Sequence, residues 1–261
     1  MKTALRKKNL RILIILLLAA VLIWIGTLLY GELQFYLQEP SAAAVKVHAY
    51  AMEHGLRYSA YPQELIALLE RNPETEQFVL EYPLKKDQHQ ALDPAPYANM
   101  DAVPLFLQWD SRWGYLYYGD NIAGLTGCGP LCLSMAAFYL TGDEEYAPDK
   151  MLSFAADNGY YAKGYGSSWT LISEGGPQLG LEVKELPLVK SKIFHNLEAG
   201  NPVICVMGPG DFTTTGHFIV MTGCEDGLIR VNDPNSIANS EKLWRFEDIQ
   251  DQIRNLWAIS K

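Results

Sequence analysis

Cysteine is scarce in this sequence, and its spacing excludes two common structural roles. The chain has four cysteines, at positions 128, 132, 205 and 224, among 261 residues. A disulfide-stapled domain carries more cysteine in a much shorter chain. Structural zinc sites draw their ligands from closely spaced pairs, and one Cys-x3-Cys pair followed by two isolated cysteines does not match them. We therefore expect no disulfide framework, no metal site and no cofactor.

Basic residues are sparse outside the N-terminus. Five of the 21 lysines and arginines lie within residues 1–31, which contain no acidic residue. Residues 32–261 therefore hold 16 basic residues against 30 acidic ones. Because a phosphate backbone is bound by lysine and arginine that replace its counterions, this acidic body excludes nucleic acid as a partner.

The sequence has one long hydrophobic run. Ile12 to Tyr30 carries no charge and, at about 1.5 Å per residue, can span a bilayer core. All five N-terminal cations precede it, so the positive-inside rule places residues 1–11 in the cytoplasm and the rest outside. A cleaved signal peptide has a shorter apolar region and a small-x-small site, whereas bulky residues fill 28–30. We predict a retained anchor rather than a signal peptide or a buried core helix.

Composition divides the chain into four parts. Residues 1–11 are a cytoplasmic basic tail and 12–30 a transmembrane anchor. Residues 31–102 read as a helical stalk and linker, with a helix over 62–71 and a polar linker over 85–102. Residues 103–261 form the dense globular domain. The role of residues 45–102 stays open.

The globular domain is predicted to be α+β. Helices are expected at 127–140, near 148–158, near 168–179 with a break at Gly175-Gly176-Pro177, and at 191–199. Strands are expected at 202–207, 216–223, 228–232 and 256–260. A buried helix followed by late antiparallel strands is typical of the α+β class.

Cys128 is the candidate nucleophile. It lies in Gly127-Cys128-Gly129-Pro130, directly before a helix that is apolar on all sides and is therefore expected to be buried. Proline fits a first helical turn, so Cys128 is placed at a helix N-terminus, where the dipole and free N–H groups favour the thiolate. A small buried hydrophobe is the alternative for any free cysteine, and we assign that role to Cys132 and Cys205.

His217 is the candidate base, since a thiol nucleophile needs one. It begins the apolar strand His217–Met221, although a single histidine in such a strand is more often structural. The other histidines lie in less suitable places: His48 and His54 in the stalk, His89 in the linker and His195 on a surface helix.

Asp233 is the candidate acid that orients His217. Val231 and Asp233 share one face of their strand by alternation. The segment Glu225-Asp226-Gly227 has the composition of a three-residue hairpin loop, which pairs Ile219 with Asp233 and makes Asp233 the diagonal same-face neighbour of His217. A two-residue turn would place the pair on opposite faces, so this interpretation requires the longer loop. An Asp-Pro turn is the alternative.

An acyl-transfer site also needs hydrogen-bond donors for the developing oxyanion. The backbone N–H of Cys128 is one donor. Gln108, which precedes Trp109-Asp110, is the candidate second donor, with an ordinary surface glutamine as the alternative.

Four segments in order, Val103–Asp110, Gly127–Pro130, Gly216–Val220 and Val231–Pro234, resemble the C-39-like cysteine peptidases over roughly residues 103–260. These are papain-fold relatives of the peptidase domains of bacteriocin exporters. The resemblance implies a papain-like fold, with a buried helix that carries the cysteine and an antiparallel sheet that carries the histidine and the acid.

The resemblance also implies a role for each matching residue. Cys128 matches the nucleophile, His217 the base, Asp233 the acid and Gln108 the oxyanion donor. The sequence departs from the usual pattern at Leu131-Cys132, where small or hydroxyl residues are common. It has no transporter domain, so double-glycine leader specificity is not carried over. The anchored acidic domain resembles stand-alone members seen mainly in Gram-positive bacteria.

The favoured hypothesis is a single-pass, extracytoplasmic thiol hydrolase that cleaves peptide or cell-wall peptide bonds. Amidase and transferase variants stay open, as does the oligomeric state. One alternative is a non-catalytic peptide- or cell-wall-binding module on the same fold. Another is a surface protein whose aromatic residues form a glycan or peptide platform. We predict instead that the aromatic groups 113–118 and 160–169 are cleft walls beside Cys128.

Overall fold

The computed structural model describes residues 2–37, 39–88, 90–93, 95–97 and 101–261. His89, assigned above to the linker, lies outside the described residues. The chain divides into two compact units, Met1–Pro83 and Leu84–Lys261.

The α-helices are α1 (Lys2–Leu37), α2 (Ala42–Glu53), α3 (Gln63–Arg71), α4 (Glu76–Leu80), α5 (Tyr82–Lys85), α6 (Ala123–Thr126), α7 (Cys128–Thr141), α8 (Pro148–Asp157), α9 (Gly176–Gln178), α10 (Lys190–Glu198), α11 (Ile237–Glu241) and α12 (Phe246–Ile249). The strands are β1 (Tyr117–Tyr118), β2 (Asn121–Ile122), β3 (Tyr161–Ala162), β4 (Gly166–Ser167), β5 (Glu182–Glu185), β6 (Val203–Met207), β7 (His217–Glu225), β8 (Leu228–Asn232), β9 (Leu243–Arg245) and β10 (Ile253–Ser260).

Helix α1 holds the apolar run near the N-terminus. Within the described part of the chain, it is the helix long and apolar enough to cross a membrane, over Leu10–Thr27, with a mean hydropathy of 2.6. No residue of this window is buried. A membrane span and a signal sequence share this length and composition.

Residues 42–80 of the first unit pack around a small core of their own. Ser41 caps α2 by accepting a hydrogen bond from the Ala44 N–H at 3.3 Å. The predicted helix over 62–71 is confirmed as α3, with Pro62 as the residue before its first turn. Apolar side chains from α2, α3 and α4 are buried together, namely Val47, Ala51, Leu65, Leu69, Phe78 and Val79.

The second unit is built on a six-stranded antiparallel sheet in the order β5-β10-β6-β7-β8-β9. Side chains alternate between its faces. One face of β6 and β7, with Val206 and Phe218, packs in the cluster that contains α7. The opposite face, with Cys205 and Ile219, packs with α10. The mixed helix-and-sheet class predicted from the sequence is confirmed.

Helix α7 is buried along most of its length, as its apolar composition predicts. It ends at Gly142, whose φ of +68° is the left-handed conformation that closes many helices. Cys132 on α7 and Cys205 on β6 are both fully buried, so their assignment to the core is confirmed.

The other predicted elements differ from the structure mainly at one helix. Around residues 168–179 the predicted break was wrong, because Leu171–Gly175 forms a π-helical turn that leads directly into α9. The strands expected at 202–207, 216–223, 228–232 and 256–260 are present as β6, β7, β8 and the end of β10. Strands β5 and β9 were missed, since both are short and mostly exposed or mixed.

Candidate active site

Cys128 begins α7 and is partly exposed to solvent. Three groups act on its sulfur and favour the thiolate, namely the His217 side chain and the backbone N–H groups of Phe218 and Gly129. Strand β7 contributes two of them, the imidazole and the Phe218 N–H. The structure thus brings together Cys128 and His217, the residues predicted as nucleophile and base.

His217 and Asp233 form a buried pair. The Nε2–H of His217 donates to Oδ1 of Asp233 at 2.7 Å. The two side chains are only 9% and 1% exposed. Since Nε2 faces the carboxylate, the opposite nitrogen, Nδ1, is the one left for the Cys128 sulfur. This order of cysteine, imidazole and carboxylate suits nucleophilic catalysis, in which a base is held by a third group.

The hairpin that joins β7 to β8 corrects one sequence prediction. The three-residue loop was wrong: Glu225 pairs with Leu228, and a two-residue turn of Asp226 and Gly227 has φ values of 51° and 77°. Positive φ at both central positions is the conformation that Asp-Gly hairpin turns favour.

A β-bulge restores the expected neighbourhood of His217. The register shifts between Met221 and Gly223, so that Val220 pairs with Asn232. An extra residue in one strand moves its later side chains to the opposite face. The deduction that a two-residue turn separates His217 from Asp233 was therefore also wrong, because the bulge compensates for the shorter loop.

The Asp233 carboxylate has further donors that the sequence argument missed. Its Oδ1 accepts the N–H of Asn235 at 2.8 Å, and its Oδ2 accepts the Nδ2–H of Asn239 at 2.8 Å. The Asp233 N–H donates to Oγ of Ser240 at 2.9 Å. The sequence signal for these donors was Ser236-x-x-Asn239, which has the spacing of a helix N-cap and follows Asp233-Pro234. It places the start of α11 next to Asp233.

Electrostatics favour charge separation between Cys128 and His217. Burial alone raises the pKa of the Cys128 thiol, but the hydrogen bond and charge of His217 and two backbone N–H donors outweigh it, so this pKa lies below its ordinary value. Burial lowers the pKa of His217, but the charge and hydrogen bond of Asp233, followed by Cys128, raise it to about 10. The thiolate–imidazolium pair is the state that these opposite shifts support.

Gln108 lies beside the end of β8 and is buried, contrary to the surface alternative. Its backbone N–H donates to the Pro234 carbonyl at 2.7 Å, and its Nε2–H donates to the Gly124 carbonyl at 2.9 Å. An amide nitrogen carries two protons, so one donor stays available. The Nε2–H contact ties Gln108 to the turn before Cys128, and the backbone N–H contact ties it to the segment after Asp233. Its Oε1 has no hydrogen-bond partner within the described chain.

Two hairpins flank the first turn of α7. Tyr118 of β1 and Ser167 of β4 are buried and share a hydrogen bond between their hydroxyl groups at 2.9 Å. A Cβ added to Gly129 would lie 2.5 Å from Oγ of Ser167, so this glycine is required by the close approach of β4. The groups 113–118 and 160–169 thus meet beside the first turn of α7 through Tyr118 and Ser167. Their exposed rings are Tyr117, Tyr165 and Trp169.

The remaining candidate residues lie elsewhere. All four cysteines are free thiols, and His195 is exposed on α10, as expected. His54 stacks on Tyr50 in the first unit. Across the described residues, no group of three or more His, Cys, Asp or Glu side chains is arranged to hold a metal ion.

The family model of the Peptidase_C39 like family matches residues 100–261. The chain belongs to this family. The match contains all four residues proposed for the site, Gln108, Cys128, His217 and Asp233, and most of the second unit. No curated protein matches the chain.

Two solved structures are similar to this member of the family. The peptidase domain of Streptococcus ComA, a bi-functional ABC transporter involved in a quorum sensing pathway, is 18% identical with a TM-score of 0.42, over 60% of this chain and 98% of that one. A protein described as a C39-like peptidase from Bacillus anthracis is 15% identical with a TM-score of 0.41, over 61% of this chain and 94% of that one.

Proposed function

We propose that this protein is a membrane-anchored cysteine hydrolase with a papain-like catalytic domain that cleaves peptide or amide bonds outside the cytoplasm. The observation that carries the proposal is the contact chain from Cys128 through His217 to Asp233, with opposite pKa shifts on the first two groups. Family membership supports a cysteine peptidase at the level of class.

The first half of the reaction follows from this chain of contacts. The Cys128 thiolate attacks the substrate carbonyl carbon and forms a C–S bond, and the carbonyl π electrons move to oxygen. The backbone N–H of Cys128 and the second Nε2 proton of Gln108 are proposed to hold that oxyanion. As the C–N bond breaks, the His217 imidazolium gives its proton to the leaving amine, which leaves neutral imidazole and a thioester.

The second half reverses these roles. Neutral His217 takes a proton from water as the water oxygen attacks the thioester carbonyl. The C–S bond then breaks, the thiolate returns, and the imidazolium is restored beside it. Asp233 keeps one orientation and one charge through both halves, and it stabilises the imidazolium each time that it forms.

The substrate is proposed to lie between the two hairpins and the His217 side of the site. Tyr117, Tyr165 and Trp169 offer flat apolar surface at 75%, 91% and 45% exposure. Exposed aromatic groups on the hairpins that flank the helix of a nucleophile are suited to contact a peptide chain. Peptides and cell-wall peptides are therefore the proposed partners.

Peptide turnover tests the proposal directly. The purified full chain is incubated with a pooled peptide library, and new N-termini are identified by mass spectrometry. We expect cleavage by the wild type and by Cys224→Ala, which removes a cysteine outside the site, and none by Cys128→Ala. Equal cleavage by Cys128→Ala would exclude Cys128 as nucleophile. Binding without cleavage by any form would favour the peptide-binding module.

Membrane anchoring rests on the apolar, unburied window Leu10–Thr27 and on the cations before it. We expect the full chain to stay in the membrane fraction after alkaline carbonate washing, and deletion of residues 12–30 to release it. We also expect an external protease to reach the second unit in intact cells from which the wall has been removed. A mature N-terminus beyond residue 30, found by mass spectrometry, would instead establish a signal peptide.

A further inference from the structure

The carboxylate of Asp233 is buried and held on both oxygens. Oδ1 accepts from Nε2 of His217 at 2.7 Å and from the Asn235 N–H at 2.8 Å. Oδ2 accepts from Nδ2 of Asn239 at 2.8 Å. A carboxylate rotates about its Cβ–Cγ bond, so a donor that fixes Oδ2 also fixes the direction of Oδ1.

Asn239 is itself anchored on two sides. Its N–H donates to Oγ of Ser236 at 3.1 Å, and its carbonyl accepts from the indole N–H of Trp244 at 3.0 Å. Trp244 is buried and packs on Phe212, with ring centroids 4.6 Å apart. Phe212 belongs to the segment that leads into His217. Asn239 therefore contacts Asp233 directly and is connected to the segment before His217 through Trp244 and Phe212.

We propose that Asn239 is a positioning residue of the Cys128 site, whose side-chain amide holds the Asp233 carboxylate in the orientation that accepts the hydrogen bond from His217. The inference rests on the proposed function and adds a fourth side chain to its contact chain. Asn239 does not touch the sulfur, so it acts on the nucleophile through Asp233 and His217.

The physical reason is the cost of a buried charge. Asp233 is 1% exposed, and a buried carboxylate depends on hydrogen bonds that replace water. The titratable groups that interact with it are His217 from β7 and Cys132 from α7. Of these two groups, only His217 is suited to carry positive charge. Loss of the Asn239 donor therefore leaves Asp233, the partner of the His217 imidazolium, less firmly oriented.

Two substitutions of Asn239 test the proposal on the full chain. Asn239→Leu keeps the approximate size and removes the donor. We expect it to lower the rate of Cys128 alkylation by iodoacetamide at pH 6 about tenfold, the size of one lost hydrogen bond to a charged group. Asn239→Asp brings a second carboxyl group to Asp233. Near pH 5 the two carboxyl groups share a proton that replaces the amide donor, so the alkylation rate of Asn239→Asp should approach that of the wild type. As pH rises and that proton is lost, its rate should fall below the wild-type rate.

Ser236→Ala separates positioning from stability. It removes the cap of α11 and one anchor of Asn239, but Trp244 still holds the Asn239 carbonyl and the side-chain amide is retained. We therefore expect a lower thermal midpoint with a much smaller change in the alkylation profile than in Asn239→Leu. A profile shift in Ser236→Ala as large as that in Asn239→Leu would overturn the proposal, because weakening α11 would then be sufficient.

A second measurement does not depend on thiol reactivity. In Cys128→Ala protein labelled with ¹⁵N-histidine, the hydrogen-bonded ring N–H of His217 should give a downfield proton resonance. Asn239→Leu in the same background should broaden or lose it between pH 6 and 8. An unchanged resonance and an unchanged alkylation profile overturn the role of Asn239. Slow alkylation of Cys128 in the wild type, together with a His217 resonance that still depends on Asn239, would refute the proposed function and leave the positioning role of Asn239 intact.

Discussion

Replacing His217 with alanine is expected to lower the rate of Cys128 alkylation at pH 6 by about 100-fold or more. In the wild type, His217 is the largest of the influences that lower the pKa of the Cys128 thiol, while burial raises it. Without the imidazolium, burial is opposed only by two backbone N–H groups, so the thiol stays protonated at pH 6. Each unit of pKa then costs about a factor of ten in thiolate.

The measurement is a rate profile with iodoacetamide from pH 5 to 9, with the labelled cysteine mapped by mass spectrometry. Cys224 is partly exposed and its pKa is raised by burial and by Glu198, so it serves as an internal reference for an ordinary slow thiol. Cys128→Ala identifies the signal that belongs to the nucleophile. Equal rates at Cys128 and Cys224 in the wild type would contradict an activated thiol and favour a catalytically silent binding module.

The free energy of unfolding should be nearly independent of pH in the wild type around neutral pH and should fall with rising pH in Cys128→Ala. The raised pKa of His217 gives stability that is complete below 6.5, its unfolded value, and is lost as pH rises toward about 10. The lowered pKa of Cys128 gives stability that is complete above its unfolded value and is lost as pH falls. Between pH 6.5 and about 8.5 the two slopes cancel, because the folded pair and the unfolded pair each hold one proton.

Cys128→Ala removes the contribution of the thiol to this pH dependence and leaves that of His217. The folded protein then keeps a proton on His217, through Asp233, that the unfolded chain lacks above pH 6.5. We expect its stability to fall with rising pH by up to about 1.4 kcal/mol per unit, while the wild type and Cys224→Ala stay nearly constant. Urea unfolding at pH 6.5, 7.5 and 8.5 measures the slopes. Parallel curves for all three proteins would show that no ion pair exists at neutral pH.

Several features of the molecule follow from local sequence alone. The apolar run within α1, the all-round apolar character of α7 and the alternation of β8 each depend on residues close in the chain, where periodicity is informative. The position of Cys128 at the start of α7 follows from the Gly-Cys-Gly-Pro segment, because proline is tolerated in a first turn and the helix begins beside it.

The geometry of the site needed the tertiary structure. The sequence pointed to Asp233, but through a three-residue loop that does not exist, because a bulge elsewhere in the same strand is not visible in local composition. For Gln108 the sequence left a surface position as the alternative to an oxyanion donor. Gln108 is buried, because the segment that carries it pairs with residues more than 120 positions away.

Asn239 shows the same limit most clearly. Its local sequence identifies a helix cap, and only the folded chain places its amide on Asp233 and its carbonyl on Trp244. Local sequence was sufficient to identify the main helices, the strands β6, β7, β8 and β10, and the residue types that could act together. Distances and orientations among Cys128, His217 and Asp233 were decided by packing on the sheet, because they depend on long-range register and burial rather than on neighbours in the chain.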